Sequence, residues 1–367
     1  MDVVAVDVVG IGKRGQLFAQ ALQRQAIVRI DTRHAQHRPA PAAAHRALGI
    51  DASLCAFAGR TKPRGLVDPP PTMTPRLLEV QHTTVYRYAR SVRFGPHRVM
   101  FRPRSGHDIQ VLEAKVDVNV ASRVDWVQDT QSNWVTLITP TATADELRID
   151  CRVRLAHRGV RGINDLPLAP HARRWPFDYS ADERRDLGAL LERHYPDPDG
   201  RLFEWSRPFL APVVRPDTRE LLTSIAASIK AQFAYETREA EGTQTPDETL
   251  RRSAGSCRDF ALLMIEVVRR LGMAARFVSG YLYDSALDGD TDDAVTGAGA
   301  THAWLHVYLP GAGWVPFDPT NALFGGSRLI RVAYARDPEL AAPVSGQWYG
   351  DADWFRGMQT SVTVRRD

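Results

Sequence analysis

The sequence predicts an α+β protein in which an antiparallel β domain precedes a helix, bearing a cysteine, packed on a second antiparallel sheet. Two observations carry this prediction. Short strand-like segments separated by turn residues fill 75–160, and a helical period followed by a β-hairpin fills 218–321. The chain has 367 residues, which is enough for two domains with separate cores.

Composition argues against several classes of protein. No apolar run approaches the roughly 20 residues of a membrane helix, and the first residues lack the cationic region of a signal peptide. Cys55, Cys151 and Cys257 are too far apart for a Cys-x-x-Cys metal site and too few for a disulfide framework. We therefore expect no membrane partner and a reducing compartment, the cytoplasm.

The net charge of +4 does not indicate a nucleic-acid partner. Residues 1–72 hold ten Lys and Arg against five Asp, so the rest of the chain is nearly neutral. Its charges are mixed along the sequence, and no nucleic-acid motif accompanies them.

Residues 1–72 are expected to be a disordered leader or the product of a start codon assigned too early, with Met73 as the alternative start. The segment contains GIGKRG at 10–15 with Asp31 downstream, which resembles a dinucleotide fingerprint. No series of strand-helix units follows to build the nucleotide-binding sheet, so we expect no cofactor.

Ordered structure is expected from residue 77 onward. Strands are predicted at 77–88, 111–120, 124–129, 134–138 and 147–155, which makes 73–160 a β-rich domain. Residues 161–216 are rich in proline and form a predicted bridge with a short helix at 181–194. Residues 217–330 then form the predicted core, and 331–367 an extension that ends in a last core strand at 359–365.

A helix is predicted near 218–235, and a second helix begins at Cys257. Apolar residues at 260, 263, 264, 267, 268 and 271 mark one buried face, and Gly272 suits its end. Ser256 and Asp259 have the spacing of a capping box. Cys257 then occupies the first helical position, where free N–H groups and the helix dipole favour a thiolate, the nucleophilic form.

A nucleophilic thiol needs a base and a group that orients the base. Strands are predicted at 274–283 and 301–309, and a turn at 310–313 leads into a returning strand, so 301–321 is a β-hairpin. His302 and Asp318 share a face only if the numbers of facing residues have an even sum, for example with His302 opposite Thr320. Asp318 would then fix the imidazole tautomer.

The ordered motifs GTQTP (242–246), GSCRDF (255–260), ARFVSGY (275–281), THAW (301–304) and FDPTN (317–321) resemble the bacterial transglutaminase-like proteins. Residues 75–160 resemble the N-terminal β domain of many of these proteins, so the resemblance covers about 73–367. It implies a papain-like core with the catalytic triad Cys257, His302 and Asp318. Family members often carry Gly-Arg-Asp-Tyr near the C-terminus, which residues 334–339 do not reproduce.

The resemblance implies a thiol-dependent acyl-transfer enzyme. Cys257 would form a thioester with a peptide, isopeptide or glutamine amide of a protein or peptide substrate, and water or a primary amine would resolve it. We favour hydrolysis, as in a cysteine peptidase or amidase, because no second substrate groove is identifiable. Protein-glutamine γ-glutamyltransferase (crosslinking) activity and a non-catalytic interaction module remain alternatives. The natural substrate and the oligomeric state stay open.

Further roles are weaker predictions. The backbone N–H of Cys257 is one expected oxyanion donor, and Gln244 is a weak candidate for the second. Trp304 is expected to be a core aromatic that could also wall the acyl site. Zinc held by Cys257, His302, His306 and Asp318 is disfavoured, since residues four apart on a strand are separated by roughly 13 Å. The DGDTD stretch (288–292) lacks the Gly and Glu of a calcium loop, so we expect no metal.

Overall fold

The computed structural model of the protein describes residues 5–7, 74–210, 215–237, 242–284, 296–297, 299–326 and 328–367. The expectations for 1–72, including the glycine motif, lie outside these residues except for strand β1 (Ala5–Asp7). Within the described ranges, no helix is both long enough and apolar enough to span a membrane.

Two antiparallel sheets form the N-terminal β region. Its strands are β2 (Arg76–Phe94), β3 (His97–Val99), β4 (Ile109–Val118), β5 (Ser122–Gln128), β6 (Trp134–Pro140) and β7 (Ala144–His157). β2 pairs with β7, which pairs with β4, while β6 lies between β3 and β5 in the second sheet. Every second residue over most of β7 is buried, as expected for a strand with one face on a core.

The bridge contains two short helices, α1 (Ala181–Leu187) and α2 (Arg201–Ser206). The predicted helix at 181–194 is therefore too long. Gly188 follows Leu187 with φ +31°, so the α-helix ends there and a single 3-10 turn continues to Leu190. Ser180 caps the start of α1, with its side chain accepting from the Glu183 N–H.

Helical structure then dominates as far as residue 270. The elements are α3 (Thr218–Gln232), β8 (Ala234–Tyr235), α4 (Pro246–Arg252), β9 (Ala254–Gly255) and α5 (Cys257–Arg270). α3 buries the periodic residues Leu221, Leu222, Ile225 and Ile229. α5 is buried on nearly all sides, so it is the central helix of this half of the protein.

The hairpin sheet packs against α5. It consists of β10 (Ala275–Leu282), β11 (Thr301–Leu309), β12 (Gly313–Phe317) and β13 (Leu329–Ala335), in the order β12-β11-β10-β13. Its inner face contributes Leu305 and Val307 to the core shared with α5. Its outer face carries Trp304, which packs in a separate apolar cluster.

The end of the chain differs from the sequence prediction. β13 extends the hairpin sheet past residue 330. After β14 (Val344–Ser345) and β15 (Gln347–Tyr349), the last strand β16 (Phe355–Arg366) pairs along β2 of the N-terminal sheet rather than with the hairpin sheet. Alternation along 359–365 correctly indicates a strand, but alternation cannot say which sheet accepts it.

Candidate active site

Cys257 begins α5, and the buried carboxylate of Asp259 fixes the residues around it. Asp259 Oδ2 accepts hydrogen bonds from Ser256 N and Ser256 Oγ, both at 2.8 Å. Its Oδ1 accepts from the backbone N–H of Gln244 at 2.7 Å. The predicted contact between Ser256 and Asp259 is therefore present, and the same carboxylate holds the segment before α4 against the start of α5.

A short parallel pairing brings Tyr235 to the thiol. Ala234 faces Ala254 and Tyr235 faces Gly255. A Cβ on Gly255 would lie 2.9 Å from Asp259 Cβ, so only glycine fits this approach. Burial, followed by the nearby charges of Cys257 and Asp318, raises the pKa of Tyr235 to about 12.

The hairpin has the register that the sequence argument required. Facing residues of β11 and β12 include Leu305 with Phe317 and His306 with Pro316, whose numbers have an even sum. The loop between the strands is residues 310–312, an odd number. The pairing ends at Leu305 and Phe317, and the chain then turns so that Asp318 faces Leu323. The even-sum register nevertheless places His302 and Asp318 on the same face, and their side chains meet at 2.9 Å.

His302 and Asp318 form a fully buried pair. His302 Nε2 lies 2.9 Å from Asp318 Oδ2, and both side chains have no exposed surface. Burial alone would lower the pKa of His302, but the charge and hydrogen bond of Asp318, together with the Cys257 thiol, raise it to about 10. Burial opposes ionisation of Asp318, yet His302 and the neighbouring donors hold its pKa below the usual value.

The other ring nitrogen of His302 is the one available to the thiol. Nδ1 is buried and makes no hydrogen bond of normal geometry to a described residue. The Cys257 thiol nevertheless contributes to the raised pKa of His302, so the sulfur lies within interaction range of the ring. Catalytic hydrogen bonds are often long before substrate binds. The three predicted residues are thus brought to one place.

Asn321 and a glycine complete the surroundings of the pair, and the sequence argument assigned no role to either. Asn321 Nδ2 donates to Asp318 Oδ2 at 2.9 Å and to the carbonyl of Thr296 at 3.1 Å. Thr296 N donates back to Asn321 Oδ1. The next residue, Gly297, has φ +95°, and a Cβ there would lie 3.0 Å from His302 Nδ1. The only available signal was the asparagine in FDPTN.

The weaker predictions have mixed outcomes. Gln244 is buried, and its Oε1 accepts from Thr249 Oγ1 at 3.3 Å, which leaves its role as an oxyanion donor untested. Trp304 is buried as expected, with its ring stacked near His302 at a centroid distance of 6.0 Å. In the described part of the chain, no group of three His, Cys, Asp or Glu side chains is placed to hold a metal ion.

Comparison with known families agrees with this geometry. Residues 210–319 match the model of the transglutaminase-like superfamily, and residues 78–156 match the bacterial transglutaminase-like N-terminal region. The chain belongs to the transglutaminase-like superfamily. The first match contains α3, α5 and strands β10 to β12, and the second lies within the N-terminal β region of this transglutaminase-like protein.

Relatives of this transglutaminase-like protein occur in mycobacteria. An uncharacterized protein of Mycobacterium tuberculosis is 34% identical over 138 residues, which is 36% of this chain and 43% of the relative. An uncharacterized protein of Mycobacterium leprae is 36% identical over 106 residues, 28% of this chain and 35% of the relative. The match thus spans less than half the length of these relatives.

A solved structure shares the fold. A protein of Cytophaga hutchinsonii, proposed to be a cysteine protease, superposes with a TM-score of 0.57 at 16% identity and covers 80% of this chain and 92% of its own. At this identity the likeness concerns the fold alone. The predicted α+β, papain-like architecture is confirmed.

Proposed function

We propose that this protein is a thiol-dependent acyl-transfer enzyme that hydrolyses peptide or isopeptide amides through a thioester on Cys257. One observation carries the proposal: a buried His302, bonded through Nε2 to Asp318, with Nδ1 left for the thiol of Cys257 at a helix N-terminus. Cys257 would be the nucleophile, His302 the base and Asp318 the group that orients the base, and each side chain has the chemistry that its role needs.

The reaction follows from these positions. His302 Nδ1 takes the thiol proton, and the thiolate sulfur attacks the amide carbonyl carbon. Backbone N–H groups at the start of α5 have no intrahelical acceptor, so the N–H of Cys257 can donate to the developing oxyanion. The tetrahedral intermediate collapses with cleavage of the C–N bond, and the imidazolium gives its proton to the leaving amine. This leaves a thioester and a neutral imidazole.

Water then completes the cycle. His302 Nδ1 removes a proton from water as the oxygen attacks the thioester carbonyl, and the C–S bond breaks to release an acid and regenerate the thiol. Asp318 keeps Nε2 protonated throughout, so Nδ1 remains the acceptor. Its own position is fixed by Asn321 Nδ2 and by the backbone N–H of Thr320, each at 2.9 Å.

Product masses test the proposal. The full chain is incubated with a glutamine-containing peptide, with and without a primary amine such as cadaverine. We expect cleaved or deamidated product in both, and no product from Cys257→Ala. Cys151→Ala is the matched control, because Cys151 is also a buried free cysteine but lies on β7. Activity retained by Cys257→Ala would overturn the assignment, whereas a product carrying the amine in preference to water would establish crosslinking.

We also propose a cytoplasmic location, which the free state of Cys151 and Cys257, the cysteines among the described residues, supports. Cell fractionation followed by immunoblotting tests it. Recovery of the protein in the membrane or in an extracytoplasmic fraction would contradict it.

A further inference from the structure

A cavity of about 430 Å³ lies on the outer face of the hairpin sheet. Its walls come from the segment between β3 and β4 and from strands of the hairpin sheet, including Arg276, Trp304 and Arg331. None of the triad residues is among the described residues that line it. It is therefore a separate site, although the Trp304 ring stacks near His302.

Arg276 is the central charged group of this cavity. Its guanidinium carbon lies 3.6 Å from the centroid of the Tyr334 ring and 4.1 Å from that of Trp314. Two aromatic rings therefore pack against the guanidinium, and its N–H groups are the part of it that can bind another polar group. A planar fork of this kind matches a carboxylate.

This guanidinium has no anionic partner in the part of the chain that the structure describes. Burial is the main cause that lowers the pKa of Arg276 to about 10; Tyr334 opposes this shift, and the positive charges of Arg104 and Arg331 add to it. The Nε of Arg276 is buried without a hydrogen-bond partner. An unpaired cation in such surroundings is costly unless a ligand supplies the counter-charge.

Two further polar atoms in the cavity wall are unsatisfied. His306 is 7% exposed and Trp304 is 1% exposed, and His306 Nδ1 and Trp304 Nε1 both lack a hydrogen-bond partner among the described residues. Buried polar atoms are nearly always bonded in native proteins. Arg276 Nε, Trp304 Nε1 and His306 Nδ1 are thus three buried polar atoms without a partner among the described residues, and all three belong to side chains that line the cavity.

The charges around the cavity do not balance. Asp108 is the acid in the wall, and it is already bonded through both oxygens to Arg331, at 2.8 and 2.6 Å. The lining also includes Arg104 and Arg161. The excess of positive charge favours an anion.

We propose that this cavity binds a small organic carboxylate. Its carboxylate group would accept hydrogen bonds from the N–H groups of Arg276, and its apolar or aromatic part would pack against Trp304 and Leu166. The cavity volume far exceeds that of an inorganic anion, and its walls combine charged side chains with aromatic and aliphatic ones such as Trp304 and Leu166. The site is separate from the triad, so the proposal stands whether or not the protein transfers acyl groups.

Calorimetric titration of the full chain with benzoate tests this proposal. Benzamide is the neutral analogue of the same shape, and inorganic phosphate is an anion that lacks an apolar group. We expect saturable binding of benzoate, with benzamide and phosphate each at least about tenfold weaker. No binding of benzoate, or equal binding of benzamide, would overturn the proposal. If phosphate bound as tightly as benzoate, the cavity would attract any anion, and this result would also overturn the proposal.

Variants identify the residue. Arg276→Met is expected to weaken benzoate binding at least about tenfold, because it removes the charge and keeps the apolar length. Arg87→Met, in an exposed ion pair with Glu146 on the N-terminal sheet, is the matched control and should bind like the wild type. If Arg276→Met does not fold, Arg276→Lys serves instead, with a several-fold loss expected because the fork is lost. Unchanged affinity in a folded Arg276 variant would refute the assignment.

Discussion

Replacement of Asp318 by asparagine should disable the thiol without disturbing the shape of the site. Asp318 Oδ1 accepts from Thr320 N at 2.9 Å, and an asparagine oxygen can keep that bond. The amide nitrogen would then meet His302 Nε2 and Asn321 Nδ2, which both bond to Oδ2 at 2.9 Å. To avoid two facing donors, His302 must carry its proton on Nδ1, where it can no longer take one from the thiol.

The magnitude follows from the raised pKa of His302. Its increase from 6.5 to about 10 corresponds to more than three powers of ten in the protonation equilibrium, of which Cys257 supplies a share. We therefore expect Asp318→Asn to slow iodoacetamide labelling of Cys257 at pH 7 on the order of 10²- to 10³-fold.

Peptide mapping after timed labelling measures the rate at Cys257. Buried Cys151 serves as an internal reference, since burial raises the pKa of its thiol. The matched control is Thr320→Val, because Thr320 Oγ1 is buried and makes no hydrogen bond to a described residue. Thermal unfolding verifies that each variant is folded. Equal labelling of Asp318→Asn and the wild type would refute the role of Asp318, and slow labelling of the wild type itself would favour the non-catalytic interaction module.

Three further predictions concern the site and its support. Gly297→Ala should slow labelling of Cys257 at least about tenfold, because the added methyl group would press on His302 Nδ1. Gly299→Ala is the control for backbone strain, since Gly299 also has a positive φ, +85°, but has open space around it. Equal labelling rates in the two variants would contradict the contact with His302. Arg269→Met should destabilise the protein by about 3–5 kcal/mol in urea unfolding, because the buried Glu266 loses its cation and keeps only the backbone N–H groups of His194 and Tyr195. Arg269→Met with Glu266→Leu should recover part of that loss, and no recovery would contradict the pairing. Because the pKa of His302 is higher in the folded state than in the unfolded state, its contribution to stability is complete below about pH 6.5 and is lost as the pH rises towards about 10. We expect the urea midpoint to fall over this pH range in the wild type but not in His302→Gln, and a midpoint that rises in the wild type would contradict this direction.

The site could be predicted from the sequence largely because its determinants are local. Cys257 follows a helix-start signal, and the hairpin register depends on one short loop, so each position could be argued within about twenty residues. The register of β11 and β12 confirms that argument. Tyr235 and Gly297 could not be found in this way, because they reach the site through a two-residue strand and through a loop held by Asn321.

The sheet assignments show the same limit. The alternation in β16 predicts a strand, but its partner β2 lies more than 260 residues earlier in the chain. Periodicity reports which face of a strand is buried and not which strand lies beside it. Likewise the cavity at Arg276 depends on segments far apart in sequence, and no local pattern marked it.

The acyl-enzyme itself gives the most direct test of the central claim. The protein is mixed with a peptide substrate, quenched in acid during turnover, and its intact mass is recorded. We predict a mass increase equal to the acyl part of the substrate, located on Cys257 by peptide mapping and removed by hydroxylamine. Turnover of the peptide with no adduct on Cys257, or an adduct that persists in Cys257→Ala, would contradict the account.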